Sequence, residues 1–169
     1  MRDVVIVDSV RTGLTKAFRG SFNLTRSDDM LAHCIDSLLD RNPNVGADEV
    51  EDVVVGAATH AGEQDGNIAR LAVVLSRLPI TAAGVSINRF CSSGLQSIAV
   101  AAQRIIVDGI KVAIGGGVES ISMTQQNMNM KHLIEPELQK ICPALWMPMI
   151  NTADVVADRY KVSREYQDE

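Results

Sequence analysis

The sequence predicts an α/β fold: a layered, parallel-rich sheet covered by helices, followed by the start of a second, less regular unit. Three observations predict it. Short β-branched runs alternate with segments of helical period over residues 1–119, the order expected of parallel strands joined by crossover helices. Those runs are continuously apolar, as strands buried on both faces are. After Glu119 the texture changes. Residues 120–169 open with few periodic runs, carry Pro136, Pro143 and Pro148, and hold Met123, Met128, Met130, Met147 and Met149, five of the seven methionines. The domain division expected is therefore 1–119 and 120–169.

Each element has a local reason. Val4 to Val10 (VVIVDSV) is apolar and β-branched and ends at the turn signal Arg11-Thr12-Gly13, which predicts a buried strand. Thr25-Arg26-Ser27-Asp28 fits a capping box. Leu31, Cys34, Ile35, Leu38 and Leu39 then come at helical spacing, until Asn42-Pro43 stops the helix. Glu51 to Ala57 is the next strand. Asn67 to Arg77 is the next helix, with Leu71, Val74, Leu75 and Leu78 along one side. Gly84 to Asn88 is a strand, and Ser92 to Asp108 a helix closed by Gly109. Lys111 to Ile114 is a strand that runs into Gly115-Gly116-Gly117. Beyond the Met-rich stretch, Thr152 to Tyr160 is helical with Asn151 or Thr152 as its cap, and Ser163 is a fresh N-cap.

Composition excludes several classes. With 16 Lys plus Arg against 21 Asp plus Glu the net charge is −5, which disfavours a nucleic-acid backbone binder. No uninterrupted apolar run approaches the ~20 residues of a membrane span. The N-terminal apolar run is short and broken by Asp8, unlike a signal peptide. Cys34, Cys91 and Cys142 are odd in number, far apart and without a CxxC or Cys/His cluster, so neither a disulfide framework nor a metal site is expected. Free thiols fit a reducing, cytoplasmic compartment.

The chemistry concentrates in Ile87-Asn88-Arg89-Phe90-Cys91-Ser92-Ser93-Gly94-Leu95-Gln96. There a strand runs into a tight turn and a helix begins at once, with Cys91 at the junction. Backbone N–H groups and the positive dipole end of a helix favour a thiolate, and the same N–H groups can stabilise an oxyanion on an attached acyl carbon. Small residues in the helix (Ser92, Ser93, Gly94, Ala99, Ala101, Ala102) allow close approach to the sheet. On position alone, a reactive Cys91 and an inert, buried Cys91 both stand, since this is not a GxSxG-type elbow. Cys34, on an apolar helix face, reads as core, and Cys142 has no clear role.

Gly115-Gly116-Gly117 lacks the spacing of a nucleotide loop and reads as a close backbone approach at the carboxyl end of the sheet. Glu119 is a base or, more simply, an ion-pair partner. His60, in a loop after a strand, fits a surface or hydrogen-bonding role better than a site role.

Four segments resemble the thiolase family, in family order and over the whole chain. VVIVDSVRTGLTKAFRGSF is similar to its N-terminal strand and Arg-Thr loop, and INRFCSSGLQSI to its acyl-cysteine signature. VAIGGGVESISM is similar to its Gly-Gly-x-Glu-x-Met segment. MINTADVVADRYKVSREYQDE is similar to its Met-Gly-x-Thr-Ala-Glu helix and the Ser-Arg-Glu-x-Gln-Asp start after that helix. Cys-Ser-Ser-Gly-Leu-Gln is closest to the form found in degradative 3-ketoacyl-CoA thiolases. The resemblance implies an acyltransferase of fatty acid β-oxidation. Cys91 attacks the 3-keto carbon of a 3-ketoacyl-CoA, with its backbone N–H in the oxyanion hole, and coenzyme A then takes the acyl group. It implies coenzyme A as co-substrate with no prosthetic group or metal, a loop domain that holds pantetheine, and Met149 lining the acyl pocket. It also implies a homodimer or dimer of dimers, with Val85 to Asn88 at the interface.

The sequence departs from the family pattern in places. Ile150 stands where the motif has Gly and Asp154 where it has Glu, and Pro148 precedes Met149 where several members have His. The family's activating His (in Gly-His-Pro) and second Cys (in Cys-x-Gly) have no counterpart here, and His33, His60 and His132 sit in no matching context. A chain of 169 residues is then expected to be a partial thiolase, inactive by itself. Two alternatives remain at this level. One is a biosynthetic acetoacetyl-CoA thiolase or another condensing enzyme of the superfamily, although the condensing synthases' Thr-Ala-Cys or Glu-Ala-Cys context differs from Arg-Phe-Cys. The other is a non-catalytic fragment that keeps only binding or dimerisation surfaces.

Overall fold

The computed structural model describes residues 3–169. The chain divides into two compact units, one ending at Met128 and one spanning Asn129–Glu169. The first unit thus includes residues 120–128, which the sequence texture groups with the later part of the chain.

The first unit is built on a parallel sheet of β1 (Val50–Gly56), β2 (Ala83–Ile87) and β3 (Val112–Gly117), in the order β2-β1-β3. Val54 lies opposite Val85 on one side and Gly115 on the other. Three helices cover the sheet: α1 (Ser27–Arg41), α2 (Ile68–Leu75) and α3 (Ser93–Gln103), the last continued by a π-helical turn over Arg104–Asp108 and closed by Gly109 at φ 76°. Side-chain alternation along β1 separates two layers. Val53 and Val55 pack with Leu31 and Ile35 of α1 and with Ile68, Ala69, Ala72 and Val73 of α2 in one apolar core. Asp52, Val54 and Gly56 face α3. There Asp52, almost fully buried, accepts from Arg104 Nε at 3.0 Å.

Two sequence expectations fail here. Val4 to Val10 is not a strand: residues 3–16 carry no regular structure, and Ile6 is 79% exposed. The run pairs with neither outer strand of the sheet, β2 or β3. Strand propensity measures fit to a half-buried pleated surface, and it is not expressed without one. The helix after it starts at Ser27, not at a Thr25 cap; Arg26 holds the cap position and no side chain caps the helix. Asp28 is instead gripped in fork geometry by Arg26, at 3.0 and 2.8 Å. α2 buries Ile68, Ala69, Ala72 and Val73 and leaves Leu71, Val74 and Leu75 exposed, with Val74 at 61%. It sits close on β2 at Gly84, where a Cβ would lie 2.8 Å from Arg70 N.

The stretch Phe90–Asp108, 19 residues with mean hydropathy 1.2, is long and apolar enough by length and composition to cross a membrane. In this fold its α3 part instead lies along β1 and β3. The second unit contains α5 (Pro136–Ile141), α6 (Met149–Tyr160) and α7 (Arg164–Asp168), while the short α4 (Ile121–Thr124) belongs to the first unit. α6 begins three residues before the sequence signal, after Pro148. Ser163 caps α7 as expected, accepting from Tyr166 N.

Candidate active site

The strands β1, β2 and β3 end at Gly56, Ile87 and Gly117, and the loops that leave them meet at the carboxyl edge of the sheet. This is where open α/β sheets place their sites. Cys91 is in the loop after β2, two residues before α3, and its side chain is exposed. Cys91 is therefore not buried, unlike the core cysteine of one sequence reading.

The turn that carries Cys91 is strongly determined. Phe90 adopts φ 48°, the left-handed region that costs a non-glycine residue about 1–2 kcal/mol. Hydrogen bonds hold it there. Asn88 Oδ1 accepts from Phe90 N–H at 2.9 Å. Ser93 Oγ accepts from Arg89 N–H at 2.8 Å and donates to Phe90 O at 2.6 Å. Ser92 Oγ donates to Arg89 O at 2.9 Å, and the Arg89 guanidinium reaches Gln96 Oε1 one turn into the helix.

Glycines seat α3 against the sheet. A Cβ on Gly56 would lie 2.3 Å from Ser93 C and 2.6 Å from Gly94 N, and one on Gly115 would lie 2.9 Å from Ile98 Cα. Ser97, fully buried, donates to Gly116 O across the same contact. Gly115 and Gly117 thus make the close approach read from the sequence, while a Cβ on Gly116 would meet open space. The small residues of α3 and the glycines of β1 and β3 form two halves of one contact.

Among the described residues Glu119 has no ion-pair partner. Its carboxylate accepts from Ala58 N–H at 2.7 Å, from Thr59 N–H at 3.3 Å and from Gln64 Nε2 at 2.9 Å, none of them a cation. Gln64, fully buried, also donates to Thr59 O and accepts from Ser120 N–H at 2.6 Å. Asn88 Nδ2 donates to Ala58 O at 2.9 Å. The sequence reading missed Gln64 and Asn88; a buried amide 55 residues from its carboxylate partner leaves no periodic mark. His60 Nε2 bonds Ala57 O at 3.0 Å, the hydrogen-bonding role expected of it.

The other candidates are elsewhere. Cys34 is half-buried and lines a cavity with Thr12, Phe22 and Val53. Burial pushes its thiol up from the ordinary value of 9.0, partly offset by a backbone hydrogen bond from Thr12. Cys142 is exposed. Met149 opens α6 in the second unit and is 69% exposed. Among the described residues no group of three or more His, Cys, Asp or Glu side chains is placed to hold a metal ion.

The model of the thiolase N-terminal domain matches residues 4–169. A 3-ketoacyl-CoA thiolase of Bacillus subtilis is 41% identical over 99% of this chain and 42% of its own length. A beta-ketoadipyl-CoA thiolase of Pseudomonas aeruginosa is 38% identical over 99% of this chain and 45% of its own. A 3-ketoacyl-CoA thiolase of Serratia proteamaculans is 35% identical over 100% and 43%. The chain thus spans less than half the length of these relatives. Matched from Val4 to its last residue by the thiolase N-terminal domain, the chain belongs to the thiolase family.

Proposed function

We propose that this chain supplies the nucleophile of a 3-ketoacyl-CoA thiolase. The single observation that carries the reading is the placement of Cys91, exposed on a hydrogen-bonded turn at the amino end of an eleven-residue helix seated on the sheet. In the reaction, the Cys91 thiolate adds to C3 of a 3-ketoacyl-CoA. The C2–C3 bond breaks, and the carbanion is protonated and leaves as acetyl-CoA. The thiolate of a second coenzyme A then attacks the acyl-thioester and releases Cys91 as thiolate. In this reading Cys91's own N–H serves the oxyanion, while the Ser92 and Ser93 N–H groups are engaged inside the turn with Arg89 O and Phe90 O.

The substrate class comes from the names of the relatives, two of them 3-ketoacyl-CoA thiolases and one a beta-ketoadipyl-CoA thiolase. Coenzyme A is a co-substrate here, with no prosthetic group. We place the activity in β-oxidation and, with three free thiols, in the cytoplasm. Met149 lines the acyl pocket in this reading. β2 lies at the edge of the sheet with Val85 partly exposed, so Val85 to Asn88 is the surface on which two copies pair.

The groups that move protons in thiolases, a Gly-His-Pro histidine and a Cys-x-Gly cysteine, are not among these residues. The chain by itself therefore forms no product from acetoacetyl-CoA or a longer 3-ketoacyl-CoA. Added to a polypeptide that carries those two motifs, it restores thiolysis, and Cys91→Ser abolishes the restored activity. Turnover by the isolated chain would overturn the division of labour, and failure to complement would favour a purely binding role.

A further inference from the structure

The three loops at the carboxyl edge are joined into one chain of hydrogen bonds that ends at the nucleophile. Glu119, after β3, clamps the backbone N–H groups of Ala58 and Thr59, after β1. Gln64 locks that clamp from below: its amide spans Thr59 O, Glu119 Oε1 and Ser120 N–H while wholly shielded from solvent. A buried amide with both ends paired is rigid, since breaking either end leaves an unsatisfied polar group. The clamped Ala58 carbonyl in turn accepts from Asn88 Nδ2 at 2.9 Å, and the other end of the same Asn88 amide accepts from Phe90 N–H at 2.9 Å. Phe90 is the residue in the left-handed region, and Cys91 is its immediate neighbour.

We propose that Glu119 and Asn88 are positioning residues for Cys91, acting through the loop after β1 to hold Phe90 in its left-handed turn. The proposal rests on Cys91 being the nucleophile. Each of the two side chains acts through backbone, not on the reacting atoms. A turn released from Asn88 relaxes toward ordinary φ and carries the thiol away from the positive end of α3. The role of Glu119 here is that of a two-ended hydrogen-bond acceptor, Oε2 for Ala58 and Thr59 N–H and Oε1 for Gln64 Nε2.

Iodoacetamide alkylation of this chain at pH 7.5, resolved by peptide mass spectrometry, tests this with Cys34 and Cys142 as internal references. Both residues to be changed are exposed, so the fold survives; circular dichroism melting checks this. Asn88→Ala and Glu119→Ala are each expected to slow Cys91 about tenfold, which is ~1.4 kcal/mol, with Cys142 unchanged within about twofold. Glu119→Gln keeps an oxygen for Ala58 and Thr59 N–H but turns an NH2 toward Gln64 Nε2, donor against donor, and is expected to slow Cys91 as well.

An unchanged Cys91 rate in both alanine variants overturns the proposal. If Glu119→Ala loses its helical signal, Asn88→Ala decides alone. A parent Cys91 that reacts no faster than Cys142 is a different failure, since it sinks the nucleophile reading itself.

Discussion

Gly56→Ala is the sharpest probe of how the site is held. The added Cβ would sit 2.3 Å from Ser93 C and 2.4 Å from Ser93 O, against the 3.4 Å at which ordinary contact begins. The atoms it meets are backbone, so no side-chain rotation relieves the clash, and the start of α3 must lift by about 1 Å (3.4 minus 2.3). Overpacking of this kind costs about 3 kcal/mol, the upper end of the usual range. That lowers the melting temperature by roughly 6–12 °C for a chain of this size. Gly94→Ala is the matched control. It lies in the same contact, yet its Cβ would meet nothing within 4 Å, and in a helix the change is neutral or stabilises by up to about 1 kcal/mol. Thermal and urea unfolding of the two variants, with Cys91 alkylation alongside, is the assay. A Gly56→Ala protein within roughly 0.5 kcal/mol of the parent would refute the claim that α3 is seated by backbone-to-backbone approach.

Three further outcomes rest on single contacts. Cys34, whose thiol burial holds above the ordinary value, is expected to alkylate several-fold more slowly than exposed Cys142 at pH 8, and equal rates would contradict that burial. Asp8 is held below its ordinary 3.8, first by Asn42 and then by Ser9 N–H, with Arg41 adding attraction. A depressed carboxyl stabilises the fold above its unfolded value and loses that contribution as pH falls through the folded one. The tie between the N-terminal segment and the end of α1 is therefore expected to open below pH 3.8, seen as faster exchange of the Asn42 amide, and Asn42→Ala should raise the Asp8 midpoint. Arg104→Met leaves the nearly buried Asp52 without its guanidinium partner and is expected to cost about 2 kcal/mol in urea unfolding, whereas Lys161→Met, in an exposed pair, should change almost nothing.

The sheet, its three covering helices and the place of Cys91 could be read from the chain because each rests on local pattern. β1 is a continuous β-branched run, Gly109 ends α3 with a left-handed φ, and Cys91 sits where a strand pattern meets a helix start. What could not be read depends on neighbours. The N-terminal run has the composition of a strand and is paired with no strand of the sheet. α2 is apolar on its exposed side too, at Leu71, Val74 and Leu75, and its close seat depends on Gly84 of another element. The ties that hold the Cys91 turn join residues 30 to 61 positions apart. Glu119 shows the limit well: its type suggested a cation partner, and only the fold reveals that its partners are two backbone N–H groups and a buried amide.

The measurement that bears most directly on the account is acyl transfer to the protein itself. Incubation with a 3-ketoacyl-CoA, together with a polypeptide that supplies the missing histidine and second cysteine, should leave one acyl group on the peptide that contains Cys91. Peptide mass spectrometry should find none on those containing Cys34 or Cys142, and none at all in Cys91→Ser. Free coenzyme A should then remove it. An acyl group found on another residue, or its persistence in Cys91→Ser, would contradict the assignment of Cys91 as the nucleophile.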